Sequence, residues 1–347
     1  MLTVKLVELG HFSLEKTPLP GAPGPGEAQI RVKSIGICGS DISAYYGRHP
    51  YIHCPIVLGH EFSGVVEMVG PDATNLAIGD RCTILPHLKC GKCPACLEGR
   101  YNQCGELKCI GAQADGAFTE LVNVPAEMVF PILNSITMDQ AALVEPGAVG
   151  YHAARKAEPK SGDTLLVFGA GPIGVFTMQA VKALGAGRVL IADKDPDRLD
   201  LASSLGADGS IDVSAEGLDV GLDRLAGGAY NVDTFIDCVG FGGEVLNEII
   251  RVARRGSRVV VAGVLESTCS VPLLPDFIEH ELQLIGSTMY IPQDFRDVVE
   301  LIGCGKIRMD GIVTHSAPLS GVEEIYQMID SRSEKFFKII LRAGDEG

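Results

Sequence analysis

The stretch "TLLVFGAGPIGVFTMQAV", Thr164 to Val181, constrains the fold of this chain more than any other. Its first residues are continuously apolar, as in a strand buried on both faces. Gly169, Gly171 and Gly174 follow in G-x-G-x-x-G spacing and open a helical run. In such a unit the first glycine permits a tight turn. The second lets a pyrophosphate approach the backbone, and the third lets the helix pack on the strand. Phosphates then meet a helix N-terminus. The uncharged run is nearly long enough for a membrane span, but glycines and a proline interrupt it, and Asp163 and Lys182 bracket it. It reads as strand, turn and buried helix face.

"RVLIAD" reads as the next strand and ends in Asp193, nineteen residues beyond Gly174. A carboxylate there is placed to grip both ribose hydroxyls and to repel a 2′-phosphate, which favours NAD over NADP. Lys194 and Arg198 keep NADP open, and a helix N-cap is the alternative use of Asp193. Downstream, the apolar runs "VDTFIDCVG", "SRVVVAGV" and "LQLIGS" alternate with helical stretches such as "PDRLDLASSLGA" and "LNEIIRVAR". This alternation predicts an α/β region with a doubly wound parallel sheet. Gly240 and Gly263 fit turns beside a ligand, and ordinary turns explain them as well. Pro172 and Val239, next to these turns, join them as candidate cofactor contacts.

The first 150 or so residues read differently, as short strands broken by Gly and Pro: "AQIRVKSIGIC", "HEFSGVVEMVG", "GDRCTILP" and "GAFTELVNVP". With 347 residues, roughly two domains are expected. After Ser287 come a helix, "QDFRDVVELIGCGKI", and a last strand, "KFFKIILR".

Lys and Arg number 29 against 44 Asp and Glu, a net charge of −15, which argues against a duplex binder or a polybasic membrane patch. "MLTVKLVELG" lacks the basic and long apolar segments of a signal peptide. A cytoplasmic protein is expected, in which eleven cysteines stay reduced and metal or catalytic roles rise.

Four of those cysteines, Cys90, Cys93, Cys96 and Cys104, fall in one sixteen-residue loop. That spacing fits a tetrahedral zinc with no open position, a brace rather than a reaction centre. An iron–sulfur cluster is the competitor. A second constellation is dispersed: Cys38 in "GICGSD", His60 and Glu61 in "LGHEFSG", and Glu145 in "LVEPGAVG", each read as a turn or strand end. A thiolate, an imidazole and one or two carboxylates make a zinc site with room for substrate. Cys54, Cys82, Cys109, Cys238, Cys269 and Cys304 match no ligand pattern and read as core or surface thiols.

Taken in order, "GICGSD", "VLGHEFSG", the four-cysteine lobe, "DGAFTE", "ALVEP", "VFGAGPIG" and "ELQLIGS" resemble the zinc-dependent medium-chain alcohol dehydrogenases over essentially the whole chain. The sorbitol (polyol) and threonine dehydrogenase branch is most similar. The resemblance implies a GroES-like, β-rich catalytic domain over 1–150, with its zinc lobe at about 86–108. A Rossmann domain follows over 151–287, and 288–347 return to the catalytic domain. It implies a catalytic zinc at Cys38, His60 and Glu61, with Glu145 a further ligand or the holder of a water at the metal, and a structural zinc in the lobe.

The resemblance further implies that Ser40 takes the substrate proton, that Tyr45 faces a polyol, and that Ile173, Asp193 and Arg198 touch the cofactor. Many relatives carry His three residues beyond the hydroxyl residue, where this chain has Ser43, so His49 or bulk water is left to carry the proton onward. Arg48 and His49 are candidates for a substrate carboxylate. The implied activity is hydride transfer between a polar secondary alcohol (a polyol, sugar acid or vicinal diol) and NAD. A threonine dehydrogenase or an inert NAD- and zinc-binding relative is the alternative. A homodimer or homotetramer is implied, with a small alcohol or ketone as substrate.

Overall fold

The computed structural model describes residues 1–240, 242–264 and 268–344. They form two compact units: Met1–Glu145 with Ile291–Gly303 and Val313 onward, and Pro146–Tyr290 with Cys304–Ile312.

The first unit begins with a hairpin, β1 (Leu2–Glu8) and β2 (His11–Lys16). Then come β3 (Glu27–Gly36), α1 (Gly39–Tyr45), β4 (Glu61–Val69) and β5 (Arg81–Ile84). A small lobe holds β6 (His87–Leu88), α2 (Pro94–Leu97) and β7 (Lys108–Cys109). β8 (Leu121–Pro125), β9 (Val129–Pro131) and α3 (Met138–Ala142) follow, and α4 (Val144–Ala157) leads into the second unit.

That unit alternates strand and helix: β10 (Thr164–Phe168), α5 (Pro172–Ala183), β11 (Arg188–Asp193), α6 (Pro196–Ser204), β12 (Gly209–Asp212) and α7 (Leu218–Ala226). β13 (Thr234–Asp237), α8 (Glu244–Val252), β14 (Arg258–Val261) and β15 (Gln283–Gly286) complete it. The chain re-enters the first unit through α9 (Pro292–Gly303), then β16 (Val313–Pro318), α10 (Val322–Ser331) and β17 (Lys338–Arg342).

The first unit is built on a seven-stranded sheet in the order β16-β17-β3-β4-β5-β9, with β8 also on β3. Its pairings are antiparallel except β16 with β17. Register matters here. Gly36 at the end of β3 lies opposite Glu61 at the start of β4 and opposite Ile340 of β17. Residues from three distant stretches therefore meet at one end of the sheet. Inward side chains such as Ile30, Val32, Ile35, Phe62 and Val66 are almost fully buried, and their burial is what fixes this register.

The second unit carries the doubly wound parallel sheet that the glycine-rich stretch predicts, in the order β12-β11-β10-β13-β14-β15. Leu165, Leu166 and Val167 of β10 are fully buried, as expected of a strand covered on both faces. The strand order reverses beside β10, where such sheets open a crevice for a ligand.

One local reading needs correction. "LVEPGAVG" was expected to be a turn or strand end, but Glu145 lies in the first turn of a 14-residue helix, α4. Pro146 does not break it, because the first helical N–H groups have no acceptor to lose.

Candidate active site

Cys38 caps the N-terminus of α1, immediately after β3, while His60 and Glu61 stand at the entrance of β4. The pairing of β3 with β4 brings these three together. One ligand atom from each of Cys38, His60 and Glu61 lies within 4.8 Å of the others, and His60 and Glu61 are buried. A thiol, an imidazole and a carboxylate converging in a buried place are the donor set of a zinc that keeps one position open. Glu145 is buried but is not among the three. Its charge acts on Cys109, a buried thiol that also feels His60, Asp41 and Cys38.

The two faces of the His60 ring have different neighbours. Ser40 Oγ lies 3.4 Å from Nε2, and Asp41 Oδ1 lies 3.5 Å from Nδ1. Asp41 also accepts a 2.9 Å hydrogen bond from the Cys38 backbone N–H on Oδ2 and is fully buried. No hydrogen bond is completed at Asp41 Oδ1 or His60 Nδ1 despite their proximity. Asp41 thus stands where a carboxylate can orient a histidine that holds a metal. Burial alone would push the His60 imidazole down, but Asp41 and Cys38 outweigh it and hold it well above its ordinary value.

Glu61 has a partner from the far end of the chain. Lys338 Nζ donates to Oε1 at 2.7 Å and approaches Oε2 at 2.5 Å without a hydrogen-bonding angle. Sequence reasoning passed over both Asp41 and Lys338. Asp41 sits inside "GICGSD", and Lys338 is the one charge in the buried stretch Lys338–Leu341. A charge inside an otherwise apolar strand signals a partner.

Three other expected positions have partners of their own. Tyr45 packs in an aromatic group, stacked on Phe12 at 5.3 Å and tilted on Tyr326 at 4.6 Å. His49 accepts from the Tyr51 N–H at 3.2 Å, and burial, then the charges of His60 and His53, lower its pKa. The Arg48 guanidinium lies over the Tyr46 ring, 5.1 Å from its centre.

In the lobe, the ligand atoms of Cys90, Cys93, Cys96 and Cys104 all lie within 4.8 Å of one another. Cys90 and Cys96 sulfurs are 3.9 Å apart, too far for a disulfide. That spacing matches the edge of about 3.8 Å expected for a tetrahedron with 2.3 Å metal–sulfur bonds. A multi-iron cluster would need iron and sulfide between its cysteines, whereas sulfurs this close leave room for a single ion. Lys89 anchors the lobe, lying over the Tyr101 ring and pairing with Glu127 at 2.5 Å.

In the second unit, Gly169 has φ +100°, a left-handed conformation that disfavours a side chain. A Cβ on Gly174 would lie 1.7 Å from the Gly169 carbonyl oxygen, whereas one on Gly171 would meet only the Arg198 guanidinium, at 3.8 Å. The second glycine therefore faces open space, as a phosphate cradle requires. Pro172 and Ile173 begin α5. Asp193 Oδ2 accepts from Ala170 N–H at 2.6 Å and Oδ1 from Asp195 N–H at 3.0 Å. The N-cap of α6 is Asp195, not Asp193. Gly240 and Gly263 approach each other closely, and a Cβ on Gly263 would lie 2.3 Å from Gly240 N. Val239 N–H donates to Asp237.

This combination of units and donor sets defines a metal- and nicotinamide-dependent dehydrogenase. Residues 24–134 match the family described as alcohol dehydrogenase GroES-like domain, and residues 172–303 match zinc-binding dehydrogenase. L-galactonate-5-dehydrogenase of Escherichia coli (strain K12) is 36% identical over 305 residues, 88% of each chain. Sorbitol dehydrogenase of Arabidopsis thaliana is 34% identical, over 89% of this chain and 86% of its own. The crystal structure of an alcohol dehydrogenase from E. coli CFT073 complexed with NADH matches with a TM-score of 0.90 and 28% identity, covering 99% of both chains.

The chain belongs to the zinc-dependent medium-chain alcohol dehydrogenase family, in its sorbitol branch. It is an oxidoreductase that uses zinc and a nicotinamide cofactor, with a GroES-like and a Rossmann-type unit.

Proposed function

We propose that this enzyme moves a hydride between a polar secondary alcohol, of the polyol or sugar-acid kind, and NAD. The observation that carries the reading is the convergence of Cys38, His60 and Glu61 beside the Ser40 hydroxyl. Zinc held there supplies a Lewis acid that eases loss of the alcohol proton, and the nicotinamide supplies the hydride acceptor. Ser40 Oγ accepts that proton by hydrogen bond. Asp41 fixes the His60 ring, and Glu145 holds water or adds a ligand. Ser43 does not titrate near neutrality, so the proton leaves through His49 or to bulk water. Two relatives bear the names of dehydrogenases of a sugar acid and a polyol, which supports the substrate class. Tyr45 and His49 are assigned to the substrate side.

Asp193 supports NAD over NADP: two backbone N–H groups hold its carboxylate in place, where it meets a ribose diol and repels a 2′-phosphate. Gly169, Gly171, Pro172, Ile173, Gly174, Arg198, Val239 and Gly263 complete the cofactor site. A second zinc sits in the lobe. The unit containing Met1–Glu145 is the catalytic domain, and that containing Pro146–Tyr290 the cofactor domain. β15, an edge strand with Leu284 exposed and Leu273, Leu274 and Ile278 exposed before it, supports association into dimers or tetramers. A cytoplasmic setting agrees with eleven free cysteines.

NADH absorbance followed with polyols, sugar acids, vicinal diols and threonine tests the reading. Turnover of a polyol or sugar acid with NAD is expected. Turnover of threonine alone overturns the substrate class. Inertness of zinc-loaded, NAD-binding protein toward every compound overturns the activity.

A further inference from the structure

Tyr326 of α10 is a buried phenol, 1% exposed, whose hydroxyl completes no hydrogen bond among the described residues. Its ring is well placed. It meets Phe12 edge-on at 4.9 Å and Tyr45 at 4.6 Å. A phenylalanine would make the same ring contacts, so packing does not account for the oxygen. Burying a hydroxyl is costly unless it has a hydrogen-bond partner. The neighbouring phenol of Tyr46 has one, for it donates to Asp330 Oδ1 at 2.9 Å.

Helix α1 shows where the partner of Tyr326 lies. Asp41 and Tyr45 are four residues apart on this helix and share a face. With its ring on Tyr45, Tyr326 lies over that face. Burial, and then the charges of Asp41 and Cys38, hold the phenol well above its ordinary value, so it keeps a proton to donate. Asp41 Oδ1 and His60 Nδ1, 3.5 Å apart, are likewise buried without a completed hydrogen bond. Buried waters take about three hydrogen bonds from polar groups that the protein leaves unpaired, and these three atoms make such a set. We propose that Tyr326 is a positioning residue of the metal centre: its hydroxyl donates to a buried water that donates in turn to Asp41 Oδ1, and so keeps that carboxylate turned toward His60.

This rests on the reading of Cys38, His60 and Glu61 as the metal site. Partition of zinc between the loaded enzyme and a chromophoric chelator tests both. Cys38→Ala should lose one of two bound metals. Retention of both defeats the site assignment, and the proposal with it. Tyr326→Phe keeps the ring and removes only the hydroxyl. It should weaken zinc at this site roughly threefold to tenfold, less than loss of the carboxylate itself, and leave the lobe zinc unchanged. In an Asp41→Asn background the same substitution should have no further effect, because the path to the metal runs through Asp41. An effect of equal size in both backgrounds marks independent contributions and overturns the proposal. Unchanged zinc binding in Tyr326→Phe, with the metal of Cys38→Ala lost, overturns it while the site assignment stands. Should Asp41→Asn bind no zinc at this site, Tyr326→Phe alone decides: several-fold weaker binding sustains the proposal, and unchanged binding overturns it.

Discussion

Asp41 Oδ1 stands 3.5 Å from His60 Nδ1, on the side of the ring away from Ser40. A carboxylate behind a ligating histidine fixes the ring's tautomer and direction, and its loss costs roughly 10–100-fold in metal affinity or activity. Asp41→Asn keeps the shape and a hydrogen bond from Cys38 N–H but removes the charge. Zinc titration should show weaker binding by about that factor, with little change in secondary structure by circular dichroism. Equal affinity in the variant would mean that Asp41 only caps α1.

Asp193→Ala removes the acceptor of Ala170 and Asp195 N–H along with the carboxylate proposed to hold the ribose. Hydrogen bonds to a charged group are worth about 1.5–3 kcal/mol, so KM for NAD should rise roughly tenfold or more. KM for NADP should change little or fall, since repulsion of the 2′-phosphate is lost. Equal effects on both cofactors would remove Asp193 from the ribose.

Cys93→Ala opens a site that four sulfurs otherwise close. Bound zinc should fall from two to one per chain, and the thermal midpoint should drop by several degrees, because a structural zinc contributes directly to folding. Unchanged zinc stoichiometry would rule out the lobe as a metal site.

Thiol labelling offers a readout independent of activity. Backbone N–H groups of Lys92 and then Cys93 pull the Cys90 thiol down to about 6. Burial pushes Cys82, Cys109 and Cys238 up to about 12. Once the lobe metal is chelated, Cys90 should alkylate readily at neutral pH and slow as pH falls below about 6. Cys82, Cys109 and Cys238 should stay unlabelled while the fold is intact, as mass spectrometry of the peptides would show.

The Rossmann unit was legible because its evidence is local: an apolar strand, three glycines and Asp193 lie within thirty residues and obey short-range rules. The lobe was legible for the same reason. The dispersed centre was only half legible. Cys38, His60 and Glu61 have residue types that invite a metal, but nothing in their spacing says that they meet. That follows from the register of β3 against β4. Asp41 was hidden in plain view, since an aspartate beginning a short helix looks like a cap. A charge in an apolar strand told that Lys338 needs a partner but not which one, because its relation to Glu61 exists only once β17 pairs with β3.

That pairing orders events in time. A ribosome adds roughly 5–20 residues per second, so Glu61 is made some fifteen to fifty seconds before the lysine that neutralises it. During synthesis the Glu61 carboxylate waits for this partner. The buried pair therefore closes only when the last strand of the sheet has been made and paired.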